Sequence, residues 1–256
     1  MSKRSQFAYV QARLQARHGL RPSEQVWRQL QGIGDVRNYL YVARRTSLKN
    51  WVMGINGTHS CHEIEYLLRE QFSSHVDEVA GWMPVQWAEP VRWVKRLPYL
   101  PALLHLLTGR TAPAWMRLDP MMAGLTSETL KQRNDALERS VFASLAADWH
   151  AGTSLTHAWL VQWQKLLPPN ARNDTGIQQL ADLLWMNASA TPAPPQTDTH
   201  QLRLDLDTRL GRLFRRHSFQ AAAAFAHLGL TALDLENLRS DLVLRSVYPG
   251  AMRATP

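Results

Sequence analysis

Apolar residues recur along this chain at helical spacing almost from end to end. Phe7, Val10 and Leu14 share a stripe, while Arg13 and Arg17 lie one turn apart. Pro22 and Glu24 open a second helix that Gly32 closes. Asp35 caps a third, in which Val36, Tyr39, Leu40 and Ala43 face one way, Arg45 and Lys49 roughly the other, with Gly54 beyond the end. Ser60 with Glu63 forms a capping box ahead of Ile64, Leu67, Leu68, Phe72, Val76 and Val79. Prolines 84, 90, 98, 101 and 113 then divide the chain into short pieces, since none sits deep in a helix without breaking it.

Further on, the spacing predicts a long helix from Thr126 to about His150, then helices over 154–167, 176–187, 200–217 and 218–247, with a break at Gly229. Leu202, Leu204 and Leu206 alternate as a strand would, but Leu210, Leu213 and Phe214 restore the helical period and no partner strand is available. The expectation is an all-α fold, a bundle of short and medium helices in one domain over 1–256. Within it the Pro-rich stretch NASATPAPPQTDT (187–199) reads as an exposed loop or linker.

The 256 residues are 45% hydrophobic and 20% charged, a soluble globular composition. No apolar run reaches the ~18 residues a membrane span needs. The opening MSKRSQFAYV lacks the apolar core of a secretory signal, and the lone Cys61 excludes an internal disulfide framework. A cytoplasmic location is the expectation.

Charge sharpens the picture. Residues 1–50 hold ten Lys or Arg against Glu24 and Asp35, and the rest of the chain is balanced, so the whole formal charge of +8 arises in the first fifth. That asymmetry suits an anionic partner, whether nucleic acid, lipid headgroups or an acidic protein; the plainer reading is a solvated face.

Candidate chemistry is sparse. The thirteen glycines form no phosphate-cradling pattern. THSCHEIE (58–65) gathers His59, Cys61, His62, Glu63 and Glu65, but His59 and His62 straddle a helix cap, and Tyr66 stands where HExxH needs histidine. Asp148, Trp149, His150 and His157 cross a helix end at Gly152, where the helix dipole favours a histidine anyway. Ten tryptophans spread over the helical segments fit packing between helices better than base stacking. No catalytic centre, metal site or cofactor is expected.

Two end segments, and one between them, carry a resemblance. FAYVQARLQAR (7–17) resembles the opening of the V-type ATPase subunit called C in bacterial and archaeal enzymes and d in eukaryotic ones. AAAFAHLGLTALDLENLRSDLVLRSVYPG (222–250) is similar to that family's closing helices, with an acidic-Asn-Leu-Arg motif at Glu236, Asn237, Leu238 and Arg239. GWMPVQWAEPVRWVKRLPYLPALLHLLTG (81–109) resembles its intermediate segment. The resemblance implies a funnel-like array of similar helical lobes and a non-catalytic role on the cytoplasmic face of the membrane. There the family seats the central rotor stalk on the proteolipid ring. It implies those two partners, no cofactor and no nucleic acid; taken with the excess charge confined to residues 1–50, it leads to the expectation that the basic residues Arg37, Arg44, Arg45 and Lys49 face a partner. Read from its residues alone, the closing motif is structural: Glu236 pairs with Arg239, and Asn237 in mid-helix is expected to make a buried hydrogen bond. The rival reading from another class is a basic helical adaptor that binds nucleic acid.

Overall fold

The computed structural model of the chain describes residues 3–127, 129–189 and 199–248. In order come α1 (Lys3–His18), α2 (Glu24–Gln31), α3 (Val36–Ala43), α4 (Lys49–Val52), α5 (Cys61–Trp82), α6 (Val85–Trp93) and α7 (Leu100–Leu107). They are followed by α8 (Leu130–Glu138), α9 (Ala143–His150), α10 (Leu155–Leu166), α11 (Thr175–Ser189), α12 (Thr199–Arg216) and α13 (Ala221–Val247). Short 3-10 turns link several of them, and no strand occurs among the described residues. The fold is all-α.

Where the sequence reads as one helical domain, the helices group into two compact units. Unit one takes α1–α5 together with α12 and α13; unit two takes α6–α11. The physical reason is that α13 buries its apolar face on helices from the start of the chain, so both ends share one core. Of the expected loop 187–199, Asn187, Ala188 and Ser189 finish α11, with Ala188 buried, and Thr199 opens α12; residues 190–198 lie outside the described residues.

In unit one α13 is the hub, packing on α12, α5, α1 and α3. Its start, Ala221–Ala224, is fully enclosed, small side chains that let neighbouring helices approach closely. Gly229 does not break this helix. A Cβ there would stand 3.0 Å from Leu210 Cδ1, so the glycine marks the close crossing of α12 rather than an interruption. The caps form as the sequence predicts: Asp35 accepts from the Asn38 amide, and Ser60 and Glu63 complete a reciprocal box.

The turn between α12 and α13 holds Phe219 at φ +63°, left-handed for a bulky residue, with its amide donating to Gln11 Oε1 at 3.0 Å. Phe219→Val is therefore expected to lose about 1–2 kcal/mol, because a β-branched residue is poorest there, while Phe219→Asn keeps or gains stability. Urea unfolding of both variants distinguishes this from a conformationally indifferent site.

Unit two departs twice from expectation. The helix foreseen over Thr126–His150 is two, α8 and α9, because Ser140 Oγ donates to the Leu137 carbonyl and accepts from the Phe142 amide, turning the chain. Pro90 sits inside α6, which passes into a 3-10 turn from Val94. The tryptophans pack as foreseen. None of the ten is exposed, and Trp159 and Trp163 lie parallel at 6.4 Å while Trp93 Nε1 donates to the Trp159 carbonyl. Buried Arg133 donates to the carbonyls of Leu106, Arg110 and Ser127, closing the C-terminal end of α7 with a cation where the helix dipole favours one.

Candidate functional site

Polar residues in unit one concentrate where α1, α5 and α13 meet. On α13 the residues His227, Thr231, Asp234 and Arg245 recur on the buried face, each less than a tenth exposed. Arg21, just past α1, holds Asp234 in a two-point pair, Nε to Oδ2 at 2.6 Å and Nη2 to Oδ1 at 3.0 Å, and reaches Asp207 of α12 at 2.7 Å. Burial pushes the Asp234 carboxyl up to about 6 despite that guanidinium.

Three histidines join the same three helices. His75 Nε2 lies 3.0 Å from His227 Nε2, and His18 stacks on Phe214 at 4.2 Å with its ring 6.5 Å from that of His227. Burial lowers all three from the usual imidazole range, His227 most, so they are neutral at pH 7. The protons of His75 and His227 can be placed. Glu78, which also pairs with Arg17, accepts from His75 Nδ1 at 3.4 Å. His75 Nε2 is then an acceptor, His227 must donate from Nε2, and its Nδ1 is left as a lone pair.

Beside this chain of groups lies a cavity of about 490 Å³. One side of it is the α5 stripe Leu67, Glu70, Gln71, Ser74, His75 and Glu78, at the spacing of one helical face. Ser47, Asn50 and Trp51 form another part of the wall.

The residues foreseen from sequence are placed as follows. Glu236 and Arg239 pair doubly, each contact at 3.0 Å. Arg239 Nη1 goes on to Glu65 of α5 at 2.6 Å, and Arg203 of α12 reaches Glu236 at 3.3 Å, so the motif ties α13 to two neighbours. Asn237 corrects its expectation: it is exposed, on the outer side of α13. Arg37, Arg45 and Lys49 are exposed, Arg45 lying 3.9 Å over the Tyr41 ring. Arg44 is turned inward, half-buried, donating to the Ile55 carbonyl at 2.5 Å. Arg17 and Arg21 likewise point to acids on α5, α12 and α13, so part of the N-terminal charge is neutralised within the fold.

The THSCHEIE cluster serves the start of α5. Ser60 N donates to Glu63 Oε2 at 2.7 Å, which holds the Glu63 carboxyl below the usual range, and His59 contacts Asn56. Among the described residues, no three of His, Cys, Asp or Glu are arranged to hold a metal ion. In unit two, Asp148 accepts from Gln162, and His157 stacks on Trp185 at 4.9 Å. Gly152, at φ +91°, ends the turn after α9.

No family model, curated protein or solved structure matches the chain. No described helix is long and apolar enough to cross a membrane. His18, His75 and His227, the core of the polar cluster, went unread in the sequence. The local signal was the i,i+3 pair His75–Glu78; the other two histidines are brought in only by tertiary packing.

Proposed function

We propose that this protein is a non-catalytic structural subunit of a rotary V-type ATPase, coupling the central rotor stalk to the membrane proteolipid ring. The observation that carries the reading is the meeting of the chain's two ends. Segments 7–17 and 222–248, which bear the resemblance, lie on α1 and α13 and pack on each other and on α5. The acidic-Asn-Leu-Arg motif supports it, since Glu236 and Arg239 lock α13 to α12 and α5 and leave Asn237 outward. Cross-braced helices of this kind give the rigid contact surface a torque-bearing adaptor requires. In this role the exposed Arg37, Arg45 and Lys49 meet an anionic partner surface, and Arg44 serves the fold.

The test is recovery of the tagged protein from its native cells with quantitative identification of what accompanies it. Rotor-stalk and proteolipid subunits in stoichiometric amounts are expected. The triple variant Arg37→Glu, Arg45→Glu, Lys49→Glu is expected to lose them at least tenfold while melting normally, since exposed charges add little stability. Salt-sensitive recovery of nucleic acid in place of those subunits establishes the rival adaptor reading, in which the same three side chains meet phosphates.

A further inference from the structure

The turn ahead of α5 brings three polar groups to bear on one side-chain amide. Asn56 is the one asparagine in the sequence followed by glycine, and it is exposed. Glycine leaves the next backbone nitrogen open to approach, and the Gly57 amide donates no hydrogen bond among the described residues. Arg37 keeps this position glycine, since a Cβ on Gly57 would run into its side chain. The Thr58 amide donates to Asn56 Oδ1 at 3.0 Å, closing a ring that holds the asparagine side chain beside the Gly57 nitrogen. Thr58 Oγ1 donates to the same oxygen at 2.6 Å. A backbone N–H can only donate, so the atom it meets is the oxygen and Nδ2 lies on the other side. His59 lies there. Its Nδ1 accepts from the Asn56 amide at 3.3 Å, so the proton of the neutral ring sits on Nε2, 3.0 Å from Asn56 Nδ2. Two donors face each other in this ground state. Once Nδ2 becomes an amine with a lone pair, the same contact is a hydrogen bond.

We propose that Asn56 is a self-modification site, converting to aspartate or isoaspartate through a cyclic imide formed with Gly57. The Gly57 nitrogen gives its proton to water and attacks Asn56 Cγ, and the oxyanion forms on Oδ1 between the two Thr58 donors. The bond from Cγ to Nδ2 then breaks, and ammonia leaves with the proton of His59 Nε2, which solvent replaces. Water opens the imide at either carbonyl, giving aspartate or isoaspartate. The product sets a new carboxylate beside Arg37, whose side chain lies over Gly57, ahead of the Ser60 cap. The proposal is independent of the ATPase reading, because the reaction is the chain's own.

The test is incubation of the purified full chain at neutral pH and 37 °C, with the same chain in guanidinium chloride as the unfolded reference. Ammonia release and a mass gain of about 1 Da, located at Asn56 by peptide mapping, are followed over time. The folded chain is expected to convert roughly tenfold faster than the unfolded one, a modest share of what general acids and oxyanion donors supply in enclosed sites. Thr58→Val, which keeps the backbone donor, and His59→Phe should each remove most of that advantage, while His62→Phe leaves it. Melting curves confirm that the variants fold; Thr58 is exposed and His59 half-buried. Conversion no faster in the folded chain than in the unfolded one overturns the proposal. So does ammonia release that maps to another asparagine, or an unchanged rate in the double variant Thr58→Val, His59→Phe.

Discussion

Replacing Arg245 by methionine is expected to remove about 3–5 kcal/mol of stability, the usual loss when one partner of a buried ion pair is deleted. Arg245 is the most enclosed cation described, at 1% exposure. Its Nη1 donates to Asp241 Oδ1 at 3.0 Å, Nε to the Ile33 carbonyl at 2.6 Å, and Nη2 to the carbonyls of Leu30 and Gln31. Those carbonyls lie at and just beyond the end of α2, so one guanidinium on α13 caps a helix from the other end of the chain. Tyr39 completes the arrangement: the guanidinium lies 4.4 Å over its ring, and its hydroxyl donates to Asp241 Oδ2 at 3.0 Å. Without the arginine, the Ile33 and Gln31 carbonyls lose this donor, the Leu30 carbonyl is left with its backbone partners, and Asp241 keeps only the Tyr39 hydroxyl in a half-buried setting without its cation. Arg245→Lys should recover little, because a single ammonium cannot span carbonyls and carboxylate together. Arg28→Met, at an exposed pair with Glu24, is the control and should stay within about 0.5 kcal/mol. Urea unfolding decides; a loss below about 1 kcal/mol for Arg245→Met would mean the α2–α3 corner is held by apolar packing alone.

Acidification is expected to destabilise unit one from about pH 6.5 downward, near the ordinary imidazole value. The sign follows from the three histidines. Burial holds each below its unfolded value, so the unfolded chain binds protons first. Their stabilising contribution is complete above the unfolded value and is lost as pH falls toward the folded ones, at up to about 1.4 kcal/mol per pH unit per proton. Asp234 acts in the opposite sense. Its folded value of about 6 exceeds the unfolded one, so the folded state takes up that proton first as pH falls below 6, offsetting part of the histidine loss. The groups facing the cluster are Arg17 and Arg21 around the end of α1, Glu78 on α5, Asp207 and Arg215 on α12, and Asp234 on α13. Among them Glu78 favours charging His75 and Asp207 favours charging His18, while the arginines oppose it. Stability measured by urea from pH 7.5 to 5 should therefore slope downward, and His227→Leu should flatten the slope while removing the lone pair on Nδ1. An unchanged slope in His227→Leu would place the acid response elsewhere.

The local rules of the sequence carried the elements well. Ser23, Asp35, Ser60 and Ser154 cap the helices they precede, because a cap is decided within four residues. Failures came where tertiary contact decides. Gly229 looked like a break because propensity disfavours glycine within a helix, yet Leu210 takes up the space beside it. Asn237 looked buried because a polar residue amid apolar ones invites a partner, but its angle on α13 turns it outward. Arg44 and Arg45 are neighbours in sequence with opposite fates, one bonded inward to Ile55 and one stacked outside on Tyr41. The polar cluster was illegible for the same reason. Its members are ordinary residues of separate helices, and only the fold makes His227 a neighbour of His18 and His75.

Unit one is sewn from both ends of the polypeptide, and this sets the order in which it can be made. When α1 to α5 leave the ribosome, the faces of Leu14, Phe72, Val76 and Val79 that α13 and its neighbours will enclose have nothing to close on. All of unit two must be synthesised before the missing helices arrive, and at ordinary elongation rates that is a wait of about 5–20 s. For that interval the nascent chain carries an open apolar groove beside Arg21, whose partners Asp207 and Asp234 arrive only with α12 and α13, and so is a natural client for a holding chaperone. A chain cut short before α12 never leaves that state, so even a late nonsense mutation should yield aggregate rather than a smaller working protein.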